Sequence, residues 1–260
     1  CKNCNNPLKA SQKFCDECGA KIIQNRLKPQ VLAQQVNEQF ISIDNKFLRT
    51  FIDLFRQPET VIVGYINGTR KKYIDVLQYF AIALTLAGIQ VFLLTTFFRD
   101  ALDFTPEFAK AIENMPDKNI NSMAGFNPDF FTKHQGLIYI LGVPVSSLAT
   151  WLVYFILGDK RFNFTEHLVI NLYYSAQIII ITAVFSILFL VIGMNYLIVS
   201  TILGLPTFIY LAYVLKKVFK EDFWNTVAKF LIVMFFYMVI YFVLIIIAAI
   251  VLFFNGYFKI

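Results

Sequence analysis

The chain has 260 residues, of which 58% are hydrophobic and 29 are phenylalanine, and its formal net charge is +6. Apolar residues make up only about 45 to 50% of an average soluble protein, so this composition argues against a soluble globular domain and predicts a membrane protein. The basic residues lie beside apolar runs and do not form one basic, aromatic-rich soluble domain, which argues against a nucleic-acid-binding protein.

The N-terminal segment, residues 1–26, contains all the cysteines of the chain. They form two Cys-x-x-Cys pairs, Cys1 with Cys4 and Cys15 with Cys18, separated by ten residues. At this spacing, two tight turns can direct four thiolates at one tetrahedral Zn²⁺. A site closed by four cysteines leaves no position for a substrate, so the predicted zinc is structural. The segment is too short to bury a core of its own, and metal binding would have to stabilise it.

Other interpretations of the cysteines stay open at this point. Two disulfides would require an oxidising compartment. A catalytic dithiol and a lipid attached to Cys1 are further alternatives, although the second leaves Cys15 and Cys18 unexplained. The pattern resembles the short zinc ribbons that precede many bacterial membrane domains, and this resemblance implies a small docking module.

Residues 27–73 are predicted to form a juxtamembrane region with two short helices. From Asp44 to Arg56, apolar residues recur at helical spacing with charged residues on the opposite side, which predicts an amphipathic helix. Pro58 suits the first turn of a second helix, which Asn67 and Gly68 would end. Such helices either rest in the lipid headgroup layer or pack onto the membrane bundle, and the pattern fits both arrangements.

Residues 74–260 are predicted to form a helical membrane domain with an external loop at 99–133. Five apolar runs are long enough to cross a bilayer core, which needs about 20 helical residues. They lie near 76–98, 137–157, 168–192, 196–215 and 230–254. The predicted fold class is therefore an all-α polytopic membrane protein of five transmembrane helices with a small four-cysteine zinc ribbon.

Basic residues predict the orientation of the spans. The cluster Arg70, Lys71 and Lys72 falls on the same side as the basic residues at 160–161 and 216–220, whereas the loop at 99–133 carries more acidic than basic residues. Because basic residues collect on the cytoplasmic side, we expect the N-terminus in the cytoplasm and the C-terminus outside.

The polar residues inside the predicted spans are uncharged. We expect them to hydrogen-bond between helices, or else to line a path through the membrane. They are Gln78, Gln90, Asn171, Ser175 and Gln177. Two spans also contain a Gly-x-Pro sequence, which ends at Pro144 in one and at Pro206 in the other. These sequences mark either ordinary proline kinks or the paired broken helices of a transporter.

The pair Glu166 and His167 opens the third span and has two interpretations. Acid–base or metal chemistry is one, but adjacent residues on a helix point about 100° apart, so they would need a third partner. Asn163 followed by Glu166 is also a capping-box pattern, which explains the glutamate without a functional role and leaves His167 at the membrane interface.

The segment from Asp44 to Tyr73 carries a family resemblance. It begins Asp-Asn-Lys-Phe-Leu-Arg-Thr, continues through Pro58 and Gly68, and ends Arg70-Lys-Lys-Tyr73. This signature, together with the Glu-His-Leu element at Glu166, resembles the bacterial DUF3667 family, a family of unknown function. The resemblance implies a zinc ribbon, this junction and a helical membrane domain in the bacterial cytoplasmic (inner) membrane, but no activity.

These features favour a non-catalytic docking or accessory protein over an enzyme. Its expected contacts are the lipid bilayer and a cytoplasmic or membrane protein that binds the ribbon and the amphipathic helices; Arg70, Lys71 and Lys72 are candidate functional residues at that face. The alternatives are a transporter or channel for a neutral or lipidic substrate, and an intramembrane enzyme that uses Glu166 and His167.

Overall fold

The computed structural model describes residues 1–9, 11–20, 22, 46–102 and 132–254, with side chains up to residue 247. The chain divides into two compact units, Cys1–Asn45 and Lys46–Ile260, which we describe separately. Residues 103–131, which make up most of the predicted external loop, and residues 23–45 lie outside the described part. The finer subdivision at residues 26 and 73 therefore stays a prediction.

The larger unit is helical, and no strand occurs in its described residues. Two short helices come first, α1 over residues 46–56 and α2 over Pro58–Ile66. A 3₁₀ turn, Arg99–Leu102, follows the first long helix. The long helices are α3 (Val76–Phe97), α4 (Gln135–Ile156), α5 (Phe164–Val191), α6 (Tyr196–Phe219) and α7 (Phe223–Phe254).

The five long helices are each long and apolar enough to cross a membrane. This confirms the predicted fold class, and the chain is a multi-pass membrane protein. Helix α5 begins at Phe164, before the predicted apolar run at 168, because Asn163 caps a polar first turn. The predicted turn between α5 and α6 is also present: Gly193 has a φ of +86°, and its N–H donates to the carbonyl of Leu190 at 2.9 Å. Glycine adopts this left-handed conformation without strain.

Helices α1 and α2 pack against the bundle, which is one of the two predicted arrangements. Leu54 of α1 and Val61 and Ile62 of α2 are fully buried. The last carbonyls of α1 have no partner within the helix, as at any helix C-terminus. Here Tyr210 donates to the Leu54 carbonyl at 3.0 Å, and Tyr213 donates to the Phe55 and Arg56 carbonyls at 2.9 and 3.2 Å.

Gln177 of α5 joins three helices. Its amide nitrogen donates to the Phe51 carbonyl of α1 at 3.1 Å, and its amide oxygen accepts a hydrogen bond from the Tyr79 hydroxyl of α3. Elsewhere, the Gln90 side chain donates to Ser186 at 3.4 Å and the Asn171 side chain donates to Thr150 at 3.0 Å. The predicted interhelical hydrogen bonds are thus confirmed for three of the five polar residues, Gln90, Asn171 and Gln177.

The two Gly-x-Pro sequences do not interrupt their helices. Pro144 lies inside α4 and Pro206 inside α6, and both helices continue on either side of the proline. Ser147 and Thr207 hydroxyls donate to the carbonyls of Val143 and Gly204 near these positions. The discontinuous helices of the transporter interpretation are therefore not present at either proline.

Truncation of Leu54 tests the packing of α1. Leu54 is 0% exposed, whereas Leu48 on the same helix is 57% exposed. We expect Leu54→Ala to lower the free energy of unfolding by about 2 to 5 kcal/mol, because a fully buried leucine leaves a cavity. Denaturant unfolding of the detergent-solubilised protein would measure it, with Leu48→Ala as the control that changes stability by less than about 0.5 kcal/mol. Equal effects of both variants would contradict the packing of α1 on the bundle.

Candidate metal centre and the junction face

The four cysteine sulfurs form one cluster. All four Sγ atoms lie within 4.8 Å of one another. Cys1 Sγ is 3.7 Å from Cys18 Sγ, and Cys4 Sγ is 3.6 Å from Cys15 Sγ. Sulfurs held about 2.3 Å from a tetrahedral metal would lie about 3.8 Å apart, so the cluster has the dimensions of a four-thiolate metal site. A disulfide needs a sulfur–sulfur distance of about 2.05 Å, and all four cysteines are free.

Backbone turns place the cysteines of each pair. In the first, the Asn5 N–H donates to the Cys1 carbonyl at 2.8 Å, and Asn5 has a φ of +59°. In the second, the Gly19 N–H donates to the Cys15 carbonyl at 2.9 Å with a φ of +68°, the left-handed conformation that favours glycine. A short hairpin supports this turn, since the Cys15 N–H donates to the Ala20 carbonyl and the Ile22 N–H to the Lys13 carbonyl.

The chemistry of the four sulfurs fits a soft divalent cation. Cys15 is 3% exposed, whereas Cys18 is exposed, and the hydrogen bond of Cys18 with the Asn3 side chain lowers the pKa of its thiol to about 7. A thiolate is the form that binds metal. Phe14, beside the second cysteine pair, is 57% exposed, so it contributes little to a core around the sulfurs. Metal binding would accordingly be the main interaction that holds the two cysteine turns together.

The junction face is the end of the bundle where α3, α5 and α7 begin and α4 and α6 end. Arg70, Lys71 and Lys72 lie exposed at this face. The Arg70 guanidinium lies 4.9 Å from the centre of the Tyr65 ring, and the Lys72 ammonium lies 4.9 Å from the centre of the Tyr73 ring. These cation–π contacts add a positional role to the charges, which the sequence indicated as topology signals and as candidate functional residues.

The two tyrosines under these cations are in turn held by carboxylates. Tyr65 donates to Asp75 at 2.8 Å, and Tyr73 donates to Asp53 of α1 at 2.9 Å. Burial, followed by the hydrogen bond to Asp75, raises the pKa of Tyr65, so its hydroxyl stays protonated and able to donate. Asp75 also caps α3 by accepting the Leu77 N–H at 3.0 Å. The 70–75 segment is therefore fixed on both α1 and α2.

A second charged group of the junction face surrounds Arg161. Its guanidinium bonds to Asp159 at 2.6 Å and donates to the Phe219 carbonyl at the end of α6 at 2.8 Å. Lys229 of α7 pairs with Glu221 and lies 3.9 Å from Asp159. The hydrogen bond from Arg161 lowers the pKa of Asp159. Sequence reasoning missed this network. The acidic residues Asp159 and Glu221, each next to a basic residue, were a usable signal.

Glu166 and His167 contact different groups. The Glu166 carboxylate accepts the Asn163 N–H at 2.7 Å, and the Asn163 side chain accepts the Glu166 N–H at 3.0 Å, which completes the capping box. His167 points into the bundle, where its Nδ1 lies 3.2 Å from the Thr150 hydroxyl and it is 1% exposed. The ring lies inside the bundle, beside the rings of Tyr154 and Phe219, and the expected position of His167 at the membrane interface stays a prediction.

A family model described as "Protein of unknown function (DUF3667)" matches residues 44–88. The match covers α1, α2, the 70–75 segment and the first half of α3, and it confirms the resemblance found in the sequence. It does not extend to the cysteines. No curated protein and no solved structure matches the chain.

Metal analysis tests the cysteine cluster. We expect the purified full chain to contain about one metal ion per molecule, and we expect Cys15→Ser to lose most of it, because removal of one thiolate opens the tetrahedral site. Mass spectrometry of the elemental content measures both. Glu17→Gln is the matched control, since Glu17 is exposed and lies between Cys15 and Cys18 but carries no thiol. Protein that is metal-free when purified under reducing conditions would refute the site.

The capping box makes a separable prediction. Asn163→Ala should lower the free energy of unfolding by about 1 kcal/mol, the usual contribution of a capping side chain. Glu166→Gln should change it by less than about 0.5 kcal/mol, because glutamine also completes a capping box. Denaturant unfolding provides both values. If Glu166→Gln were the more damaging of the two, the carboxylate would have a role beyond the cap.

Proposed function

We propose that this chain, which resembles the DUF3667 family across its junction, is a non-catalytic docking or accessory protein of the bacterial cytoplasmic membrane. Its N-terminal unit binds a structural Zn²⁺ in the cytoplasm and docks a cytoplasmic or membrane protein partner, and its C-terminus lies outside. The observation that carries the proposal is the set of four cysteine sulfurs within 4.8 Å, which leaves a metal no open position for substrate.

The choice of zinc follows from the ligands. Four thiolates in a tetrahedral cluster suit zinc or iron, and a reducing cytoplasm keeps the thiolates free to bind it. Zinc has no redox chemistry of its own, which suits a site that only stabilises structure. A single divalent ion would also balance part of the charge of four clustered thiolates.

The orientation follows from the junction face. Besides Arg70, Lys71 and Lys72, the basic residues at 160–161, 216–217 and 220 lie at or beside the helix ends on this face. A concentration of Lys and Arg next to the ends of spans is typical of the cytoplasmic side of a membrane. Helix α1, with which the larger unit begins, packs on the C-terminal part of α6 at this face, which supports a cytoplasmic position for the residues that precede it.

Two surfaces support docking. In the N-terminal unit, Phe14 is 57% exposed next to the second cysteine pair. On α1, Leu48 and Phe55 are 57% and 42% exposed, although the opposite side of the same helix is fixed to the bundle. Large apolar side chains on an immobilised helix offer a partner contact area without an additional ordering cost.

The alternative functions have less support. A transporter would be favoured by broken helices, but α4 and α6 continue through Pro144 and Pro206. An enzyme based on Glu166 and His167 would need the two side chains to meet at one group, but they contact Asn163 and Thr150 respectively.

Site-specific photo-crosslinking in native membranes tests the docking proposal. A photoreactive phenylalanine analogue at position 14, in chain expressed at its natural level, should give one discrete protein adduct. The adduct should disappear in the Cys15→Ser background, because the unit loses its metal. The same analogue at Phe97, which is 66% exposed at the opposite end of α3, is the control. No adduct from position 14, or one that persists without the metal ligand, would contradict the proposal.

A further inference from the structure

The junction face contains a cleft of about 550 Å³. It lies between α2, the segment before α3, the α4–α5 connection and the end of α6. Its polar and charged lining consists of Glu59, Thr60, Thr69, Lys72, Tyr73, Arg161 and Lys220. This volume is within the range of about 300 to 1,000 Å³ that is usual for small-molecule sites.

Two of the three cations in the cleft are unneutralised. Arg161 is already bound to Asp159 and to the Phe219 carbonyl. Lys72 lies over the Tyr73 ring, and neither Lys72 nor Lys220 has a carboxylate partner among the described residues. Lys220 is held at this position by the end of α6, where it has a φ of +48°. Two lysines without a carboxylate partner and one partly exposed guanidinium therefore line a common space and favour an anion there.

The single carboxylate of the cleft lacks a donor. The Oε2 atom of Glu59 is buried and has no hydrogen-bond partner. Glu59 lies in the first turn of α2, where the helix dipole favours its charge, but this does not provide a donor for that oxygen. A buried carboxylate oxygen without a donor is costly, so a ligand with an N–H or O–H group beside its anionic part would satisfy it.

We propose that this cleft binds the phosphoethanolamine headgroup of a membrane phospholipid. Lys72 and Lys220, with Arg161, bind the phosphate, and Glu59 accepts hydrogen bonds from the ammonium group. Charge-assisted hydrogen bonds of both signs match a zwitterion that carries donors at its cationic end. Choline satisfies only half of this arrangement, because its quaternary ammonium has no N–H. Glycerol headgroups lack the positive charge.

The position of the cleft favours a lipid over soluble phosphoethanolamine, which has the same chemistry. The cleft opens at the end of the bundle where all five long helices begin or end, which is the depth of the headgroup layer. Its lining also includes Gly64 and the apolar side chains of Val63, Phe162 and Val218. The apolar side chains suit the glycerol and upper acyl carbons of a lipid, whereas soluble phosphoethanolamine has little apolar surface to contact them.

Native mass spectrometry of the full chain in detergent tests the proposal. The protein is offered an equimolar mixture of dioleoyl phosphatidylethanolamine, phosphatidylglycerol and phosphatidylcholine, and separately soluble phosphoethanolamine. We expect the phosphatidylethanolamine adduct to exceed the phosphatidylcholine adduct about tenfold, which corresponds to about 1.4 kcal/mol. We expect no adduct with soluble phosphoethanolamine.

Variants assign the contacts. Lys72→Ala and Lys220→Ala, on separate segments, should each reduce the phosphatidylethanolamine adduct several-fold. Lys71→Ala, which removes the same charge from the neighbouring exposed residue outside the cleft, should leave it unchanged. Glu59→Gln should remove the preference for ethanolamine over choline. Equal retention of ethanolamine and choline lipids, stronger retention of phosphatidylglycerol, equal effects of Lys71→Ala and Lys72→Ala, or binding of soluble phosphoethanolamine would each overturn the proposal.

Discussion

The structure depends on how the chain satisfies the carbonyl groups at the end of α1. An amphipathic helix that ends at a membrane bundle leaves its last carbonyls without intrahelical partners, and such a group is costly where it is removed from water, as at the part-buried Leu54 carbonyl. Two tyrosine hydroxyls of α6 supply the missing donors for Leu54, Phe55 and Arg56. Because Tyr210 and Tyr213 follow α1 by more than 150 residues, these bonds close the fold between its first and sixth helices.

Helix α5 connects this anchor to the rest of the bundle. Near its middle, Gln177 contacts α1 and α3, while one turn earlier Tyr173 donates to the Ile74 carbonyl at 2.8 Å. Closer to its N-terminus, His167 and Asn171 contact Thr150 of α4. Interhelical hydrogen bonds in membranes each contribute about 0.6 kcal/mol on average, so their value here is mainly specificity. They define which helix faces meet, where apolar packing alone would allow several arrangements.

The same anchoring explains why the junction face can present a defined set of charges. Tyr65 and Tyr73 are held by Asp75 and Asp53, and they position Arg70 and Lys72 through their rings. Lys72 thereby faces a cleft whose other walls come from the α4–α5 connection and from α6. The cysteine cluster, in contrast, belongs to a separate unit, and its geometry depends on two local turns. The proposed docking role and the proposed lipid-binding role thus rest on different observations, the cysteine cluster and the charged cleft.

The sequence by itself determined the features that arise from local chemistry. Apolar run length predicted the five long helices, cysteine spacing predicted the sulfur cluster, and the Asn163–Glu166 spacing predicted the capping box, because each depends on residues that lie close together in the sequence. The tertiary structure alone decided how α1 and α2 pack on the bundle and that His167 is buried. It also decided that one cleft is lined by Glu59, Lys72, Arg161 and Lys220. These depend on contacts between residues that are up to about 160 positions apart, and no periodicity or spacing in one segment reports which distant face it will meet.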